Sequence, residues 1–208
     1  MTLLSVDNLS ISFGGIKAVD GISFEVEAGE VFTIVGPNGA GKSTIFNLIS
    51  RFYQPTSGTI TFDGHDITSM RPDQISPLGI ARTFQNIELF EHSTVLHNLL
   101  VGRHPRRETN LLQDFLFTPA ARRAEQEHRE RAEAVIDFLD LQPYRDKLIA
   151  GLPYGVRKIV EIARGLASGP RLLLLDEPAS GLSVEETQDV AFWIEDMQKD
   201  MGLTILMV

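Results

Sequence analysis

The sequence predicts an α/β fold: a mixed sheet at the core, an antiparallel β unit at the N-terminus and a helical insert in the middle. Three observations carry this. Apolar residues alternate with polar ones in the first 35 residues, a glycine-rich loop stands between a β-rich run and a helical pattern, and a four-leucine run ends in two carboxylates. The chain has 208 residues, 43% hydrophobic and 23% charged. That is long enough for one domain with a substantial core, and too apolar for disorder in its bulk.

Leu4, Val6 and Leu9 open the apolar pattern, and Ile22, Phe24 and Val26 alternate with Ser23, Glu25 and Glu27. A period of two predicts a half-buried strand. After a turn at Ala28-Gly29-Glu30, the run Val31 to Val35 reads as a strand buried on both faces. Ile45, Phe46, Leu48, Ile49 and Phe52 then recur at helical spacing, and Pro55-Thr56-Ser57-Gly58 is expected to end that helix. Thr59 to Phe62 runs into Asp63-Gly64, a hairpin-turn pair.

The middle changes character. Thr118 followed by Pro119 reads as a helix start, with a capping hydroxyl before a proline at the first helical position. Charges crowd residues 122–133, with Glu125 and Arg129, and Glu127 and Arg131, spaced i,i+4. This is either a solvated helix face or a contact surface. Ala132, Val135, Ile136 and Leu139 supply the buried stripe, and Pro143 is expected to stop the helix. Val156 to Ala167 is amphipathic and Ser168-Gly169-Pro170 breaks it. The strand at Leu172 to Leu175 follows, then a helix from about Val184 to Asp200, then a last apolar run from Leu203 to Val208.

Composition excludes several function classes. Acidic residues outnumber basic ones, 28 to 19, and no basic stripe is visible, so nucleic acid is not an expected partner. No cysteine is present, which removes disulfides and thiolate chemistry. The opening MTLLSVDNLS has no basic n-region and no long apolar stretch. The longest aliphatic run is Leu172 to Leu175, whereas a spanning helix needs about 20 apolar residues. No direct membrane insertion is expected, and any membrane role comes through a partner.

The segment from Gly36 to Thr44 reads GPNGAGKST and fits G-x-x-x-x-G-K-[ST]. Gly36, Pro37, Asn38, Gly39, Ala40 and Gly41 form a loop whose backbone amides can turn inward on phosphate oxygens. Lys42 brings a cation to the β- and γ-phosphates of ATP, Ser43 is a hard oxygen ligand for Mg²⁺, and Thr44 can donate to the α-phosphate. The helix N-terminus adds its positive end. Placed between strand and helix, this predicts a P-loop NTPase core. Asp176 and Glu177 stand at the carboxyl end of their strand, where open parallel sheets bind ligands. Successive strand residues point to opposite sides, which gives the two carboxylates different tasks. Asp176 is assigned to the metal and Glu177 to the attacking water.

With these motifs in order, the chain resembles an ABC-family nucleotide-binding subunit over essentially its whole length. The resemblance implies a single domain over residues 1–208, with a nucleotide-binding core at 1–85 and 166–208 and a helical subdomain at 86–165. Phe13 falls where the family places an aromatic that stacks on adenine, though it also fits a strand core residue. Gln85, in Arg82-Thr83-Phe84-Gln85, matches the glutamine that senses Mg²⁺ and the lytic water. Leu152-Pro153-Tyr154-Gly155-Val156 stands where the family carries L-S-G-G-Q, so Leu152 and Gly155 match and Pro153 lacks the usual hydroxyl. That segment is expected to meet the γ-phosphate bound to a second ATPase subunit. Ala179-Ser180-Gly181-Leu182-Ser183 resembles the D-loop, with Ser183 where an acid is usual.

The stretches from Gly79 to His104 and from Leu152 to Arg164 are similar to the branched-chain amino-acid transport ATPases. The resemblance therefore implies an ATP hydrolase dependent on ATP and Mg²⁺. It would pair with a second ATPase subunit and drive integral membrane permease subunits from the cytoplasmic face. The family also places a histidine just after the strand that ends near Val208, and all five histidines of this sequence lie upstream. A C-terminally truncated domain is thus one expectation. An ATP-binding switch with little hydrolysis is the alternative that goes with it.

Overall fold

The computed structural model describes residues 1–83, 87–104 and 118–208. Strand β1 (Thr2–Phe13) pairs antiparallel with β2 (Ile16–Glu27) on one side and with β4 (Ser57–Phe62) on the other, and β4 pairs with β5 (His65–Asp66). The order of this sheet is β2-β1-β4-β5. Asp63 and Gly64 take φ of 49° and 77° between β4 and β5, the left-handed pair that a two-residue hairpin turn requires. Arg171 clasps the Asp63 carboxylate and draws that carboxyl below its ordinary pKa.

The second sheet is parallel throughout. It consists of β3 (Val31–Thr33), β6 (Ile80–Arg82), β7 (Leu172–Leu175) and β8 (Thr204–Met207), in the order β3-β8-β7-β6. All four leucines of β7 are fully buried. Because side chains alternate across a strand, Leu173 and Leu175 enter one core and Leu172 and Leu174 enter the other. The first core joins the sheet to α3 (Val95–Gly102), α4 (Pro119–Phe138), α5 (Tyr154–Ala167) and α6 (Val184–Lys199). The second joins it to α1 (Lys42–Ile49), α2 (Pro72–Leu78) and the antiparallel sheet. Among the described residues no helix is long and apolar enough to cross a membrane.

Several expectations hold. Thr118 caps α4 through its hydroxyl, with Pro119 as the first helical residue, and Ala132, Val135, Ile136 and Leu139 are buried. Arg131 approaches Glu127 at 3.9 Å, while Arg129 turns to Glu133, one turn further on, also at 3.9 Å.

Three local expectations are corrected. The run from Val31 to Val35 is not buried on both faces. Its strand has β8 on one side only among the described elements, Val31 and Phe32 are half-buried and Val35 is 89% exposed. Helix α1 ends at Ile49, well before Pro55, because Arg51 adopts a φ of 63° and its buried guanidinium bonds the Met70 carbonyl at 3.2 Å. Phe52 therefore lies outside the helix and is exposed. Likewise α4 ends at Phe138, ahead of Asp140 with a φ of 54°, and Pro143 sits in a separate single turn at Gln142–Tyr144.

Candidate functional site

The carboxyl ends of the parallel strands converge on one edge of the sheet. From β3 the ladder continues one step, with Ile34 N donating to the Met207 carbonyl at 2.8 Å, and then the chain enters the glycine loop. Gly36 is half-buried and residues 37–40 are exposed. Gly41 stands at the N-cap of α1 with a φ of 83°, and no side chain caps the helix. The first-turn amides are thereby left for an anion. Lys42 arches back over the loop, its Nζ donating to the carbonyls of Gly36 at 2.7 Å and Pro37 at 2.9 Å. Ser43 is exposed and Thr44 half-buried on the same first turn. The turn end of the β1–β2 hairpin lies against this loop, since a Cβ on Gly41 would fall 2.4 Å from the Ala18 carbonyl oxygen.

The expected strand alternation does not apply to the two carboxylates, because both lie beyond the strand. Strand β7 stops at Leu175, Asp176 is buried just beyond it, and Glu177 takes a φ of 49°. This left-handed kink is costly for a non-glycine residue, and Glu177 is half-buried where Asp176 is fully buried. Asp176 Oδ2 accepts from Arg82 Nη2 at 3.1 Å, and its backbone amide donates to Thr83 Oγ1 at 3.3 Å. Among the described residues, Asp176 Oδ1 is buried with no hydrogen-bond partner. A buried carboxylate oxygen left so is costly unless something electropositive meets it. Together with the Ser43 hydroxyl on the same sheet edge, it is a donor set of hard oxygens that suits Mg²⁺.

Arg82 escaped the sequence reading as a site residue. It pairs in register with Leu174, bonds Asn47 Oδ1 at 2.7 Å and packs over the Phe46 ring, so it ties helix α1 to the Asp176 carboxylate. Burial lowers its pKa, with Asp176 opposing the shift. The available signal was an arginine inside the apolar run Ile80-Ala81-Arg82, where a buried charge demands a partner. Gln85 lies outside the described residues, as do Phe84 and Asn86.

Leu152 is buried, and Pro153 is the N-cap of α5 without any side-chain cap, so this second helix also presents bare first-turn amides. Tyr154 covers Gly181, its hydroxyl donating to the Ser180 carbonyl at 3.4 Å. Ser183 fills the place of the usual acid by doing an N-cap's work. Its Oγ accepts from Glu186 N at 3.2 Å while its own amide donates to Glu186 Oε2 at 2.8 Å, a capping box that lowers the Glu186 pKa. The glycine at 155 has an intrachain reason, because a Cβ there would come within 1.9 Å of Glu186 Oε1. Gly155→Ala is expected to displace that carboxylate and break the box. A double-mutant cycle with Glu186→Ala, read by denaturant unfolding, should give a coupling of about 1 kcal/mol.

Phe13 ends β1 at 44% exposure, so the open reading of it as a strand core residue is disfavoured. Its ring meets Tyr53 edge-on, with centroids 5.1 Å apart and planes at 70°.

A model of the ABC transporter family matches residues 19–180. The chain belongs to that family. It is an ATP-binding subunit, closely related to the branched-chain amino-acid transport ATPases. It is 40% identical to the high-affinity branched-chain amino acid transport ATP-binding protein BraF of Pseudomonas aeruginosa, over 99% of this chain and 81% of that protein. Against LivG of Escherichia coli K12, which carries the same description, identity is 38% over the same shares. Among solved structures, an ATP-binding cassette of an ABC transporter in its ADP conformation superposes with a TM-score of 0.85 at 34% identity, covering 100% of this chain and 80% of that one. A nucleotide-free cassette gives the same score and identity.

Proposed function

We propose that this ABC subunit hydrolyses Mg-ATP to power a membrane permease that imports branched-chain or related amino acids. The observation that carries the hydrolytic part is the meeting, on one sheet edge, of the uncapped Lys42 helix with the buried, unpartnered Oδ1 of Asp176. The solute class rests on the likeness to BraF and LivG.

In this reading the loop amides of residues 36–44 and Lys42 grip the phosphates, with Thr44 at the α-phosphate. Ser43 and Asp176 would hold Mg²⁺, with Gln85 as a further contact, and the ion would supply charge neutralisation for the phosphates. Arg82 holds the Asp176 carboxylate in place from its other oxygen. Glu177 polarises the water that attacks the γ-phosphate in line. Phe13 stacks on the base. The segment from Leu152 to Gly155 of a second ATPase subunit closes over the γ-phosphate with the bare amides of its helix. ATP that contacts both subunits favours the closed pair, and hydrolysis removes that preference. The helical subdomain, residues 86–165, passes the movement to the permease at the cytoplasmic face.

Lys42→Ala tests the foundation. Mg-ATP affinity, measured by equilibrium titration, is expected to fall about tenfold to a hundredfold, the loss of a charge-assisted contact. Undiminished affinity would overturn the phosphate-loop assignment. Uptake of labelled leucine by cells expressing the subunit with its permease tests the solute class.

A further inference from the structure

Two aromatic rings stand at the edge of the proposed nucleotide site, and the family motifs account for only one of them. Phe13 lies at the end of β1, directly opposite Ile16 across the hairpin, and Ala18 of the same hairpin touches the phosphate loop at Gly41. Tyr53 comes from the other side, four residues after the last residue of α1. Its backbone is fixed from two directions. Its amide donates to the Asn47 carbonyl at 3.1 Å, and its carbonyl accepts from Arg51 Nη1 at 3.3 Å. Arg51 is itself buried and anchored on the Met70 carbonyl. Tyr53 is thus a 40% exposed ring on a clamped backbone.

The contact between the rings is edge to face, at 5.1 Å and 70°. Edge-to-face packing fixes the tilt of one ring relative to the other without covering both of its faces. A ring already held in its binding orientation gives up less rotational freedom when a ligand stacks on it. We propose that Tyr53 is a positioning residue for nucleotide-base recognition: packed against Phe13, it holds that ring ready to stack on a purine. The inference rests on the reading of Phe13 as the base platform, and it adds a residue that acts on the base only through Phe13.

Equilibrium titrations of the full chain with Mg-ATP and with Mg-tripolyphosphate, which has no base, separate the possibilities. Tyr53→Ala is expected to weaken Mg-ATP about two- to tenfold, the range of an aromatic pair, and to leave tripolyphosphate unchanged. Tyr53→Phe keeps the ring and should bind ATP as the parent does. Phe13→Ala should weaken ATP at least as much, and adding Tyr53→Ala to it should cost nothing more. Equal weakening of both ligands by Tyr53→Ala would overturn the proposal, because the residue would then act through the fold of the phosphate loop. So would unchanged ATP binding in Tyr53→Ala alongside weakened binding in Phe13→Ala. Unchanged ATP binding in Phe13→Ala would instead remove the base-platform reading itself.

Discussion

A Glu177→Gln protein is expected to lose turnover by about two to four orders of magnitude, the usual contribution of a general base, while keeping Mg-ATP affinity within about threefold. Glutamine preserves the size of the side chain and the backbone that carries it. That backbone matters, because Glu177 holds a φ of 49° immediately after the buried Asp176. Strain of this kind persists where the surroundings over-determine it. The amide of glutamine cannot take the proton of an attacking water, yet it does not disturb the loop amides or Lys42. Steady-state phosphate release beside a nucleotide titration reads the two quantities separately. A full hydrolysis rate in the variant would reject the role given to Glu177.

Gly41→Ala should have the opposite signature, with ATP binding lost along with turnover. Alanine there meets two obstacles. The φ of 83° is left-handed, and the new Cβ would lie 2.4 Å from the backbone oxygen of Ala18. That neighbour is main chain in a paired strand, so it cannot swing aside as a side-chain tip would. The loop must move, and its amides leave the positions that suit phosphate oxygens. Losing one or two charge-assisted hydrogen bonds, with the backbone strain, amounts to roughly 3 kcal/mol, or about a hundredfold in affinity. Titration with Mg-ATP checks it. Affinity within threefold of the parent would mean that the β1–β2 hairpin does not brace the loop.

Much of the fold was legible because local chemistry and tertiary structure agree. Asp63-Gly64 supplies the left-handed pair of the hairpin, Thr118-Pro119 starts its helix, and Leu172 to Leu175 is the doubly buried strand. The failures share a cause. Helices α1 and α4 end at Arg51 and Asp140, non-glycine residues in left-handed geometry, where no glycine or proline announces a stop. What ends α1 is a bond from Arg51 to Met70, 19 residues away, which no local window contains. The half-exposure of Val31 and Phe32 goes with strand order, because β8 separates β3 from β7 and is the neighbour of β3 among the described residues, while Val35 lies beyond the end of the strand. Order is a long-range property and periodicity does not encode it.

In the site, the phosphate loop and the carboxylate pair were readable from motif and setting. The link between them through Arg82 and Asn47 was not, since it joins residues that lie 35 and 94 positions apart. Ser183 departs from the family pattern on paper, but its hydroxyl caps α6, the same task a carboxylate performs at that position.

The leucines of β7 alternate between two interiors, so the two halves of the molecule share one wall. Asp176 hangs from the end of that shared wall, buried and bonded to Arg82 and Thr83. The glycine loop lies at the rim, braced by the hairpin at Ala18, with Phe13 and Tyr53 packed on each other beside it. A ligand arriving at this edge therefore meets a deeply buried anchor and a rim whose parts are already in position.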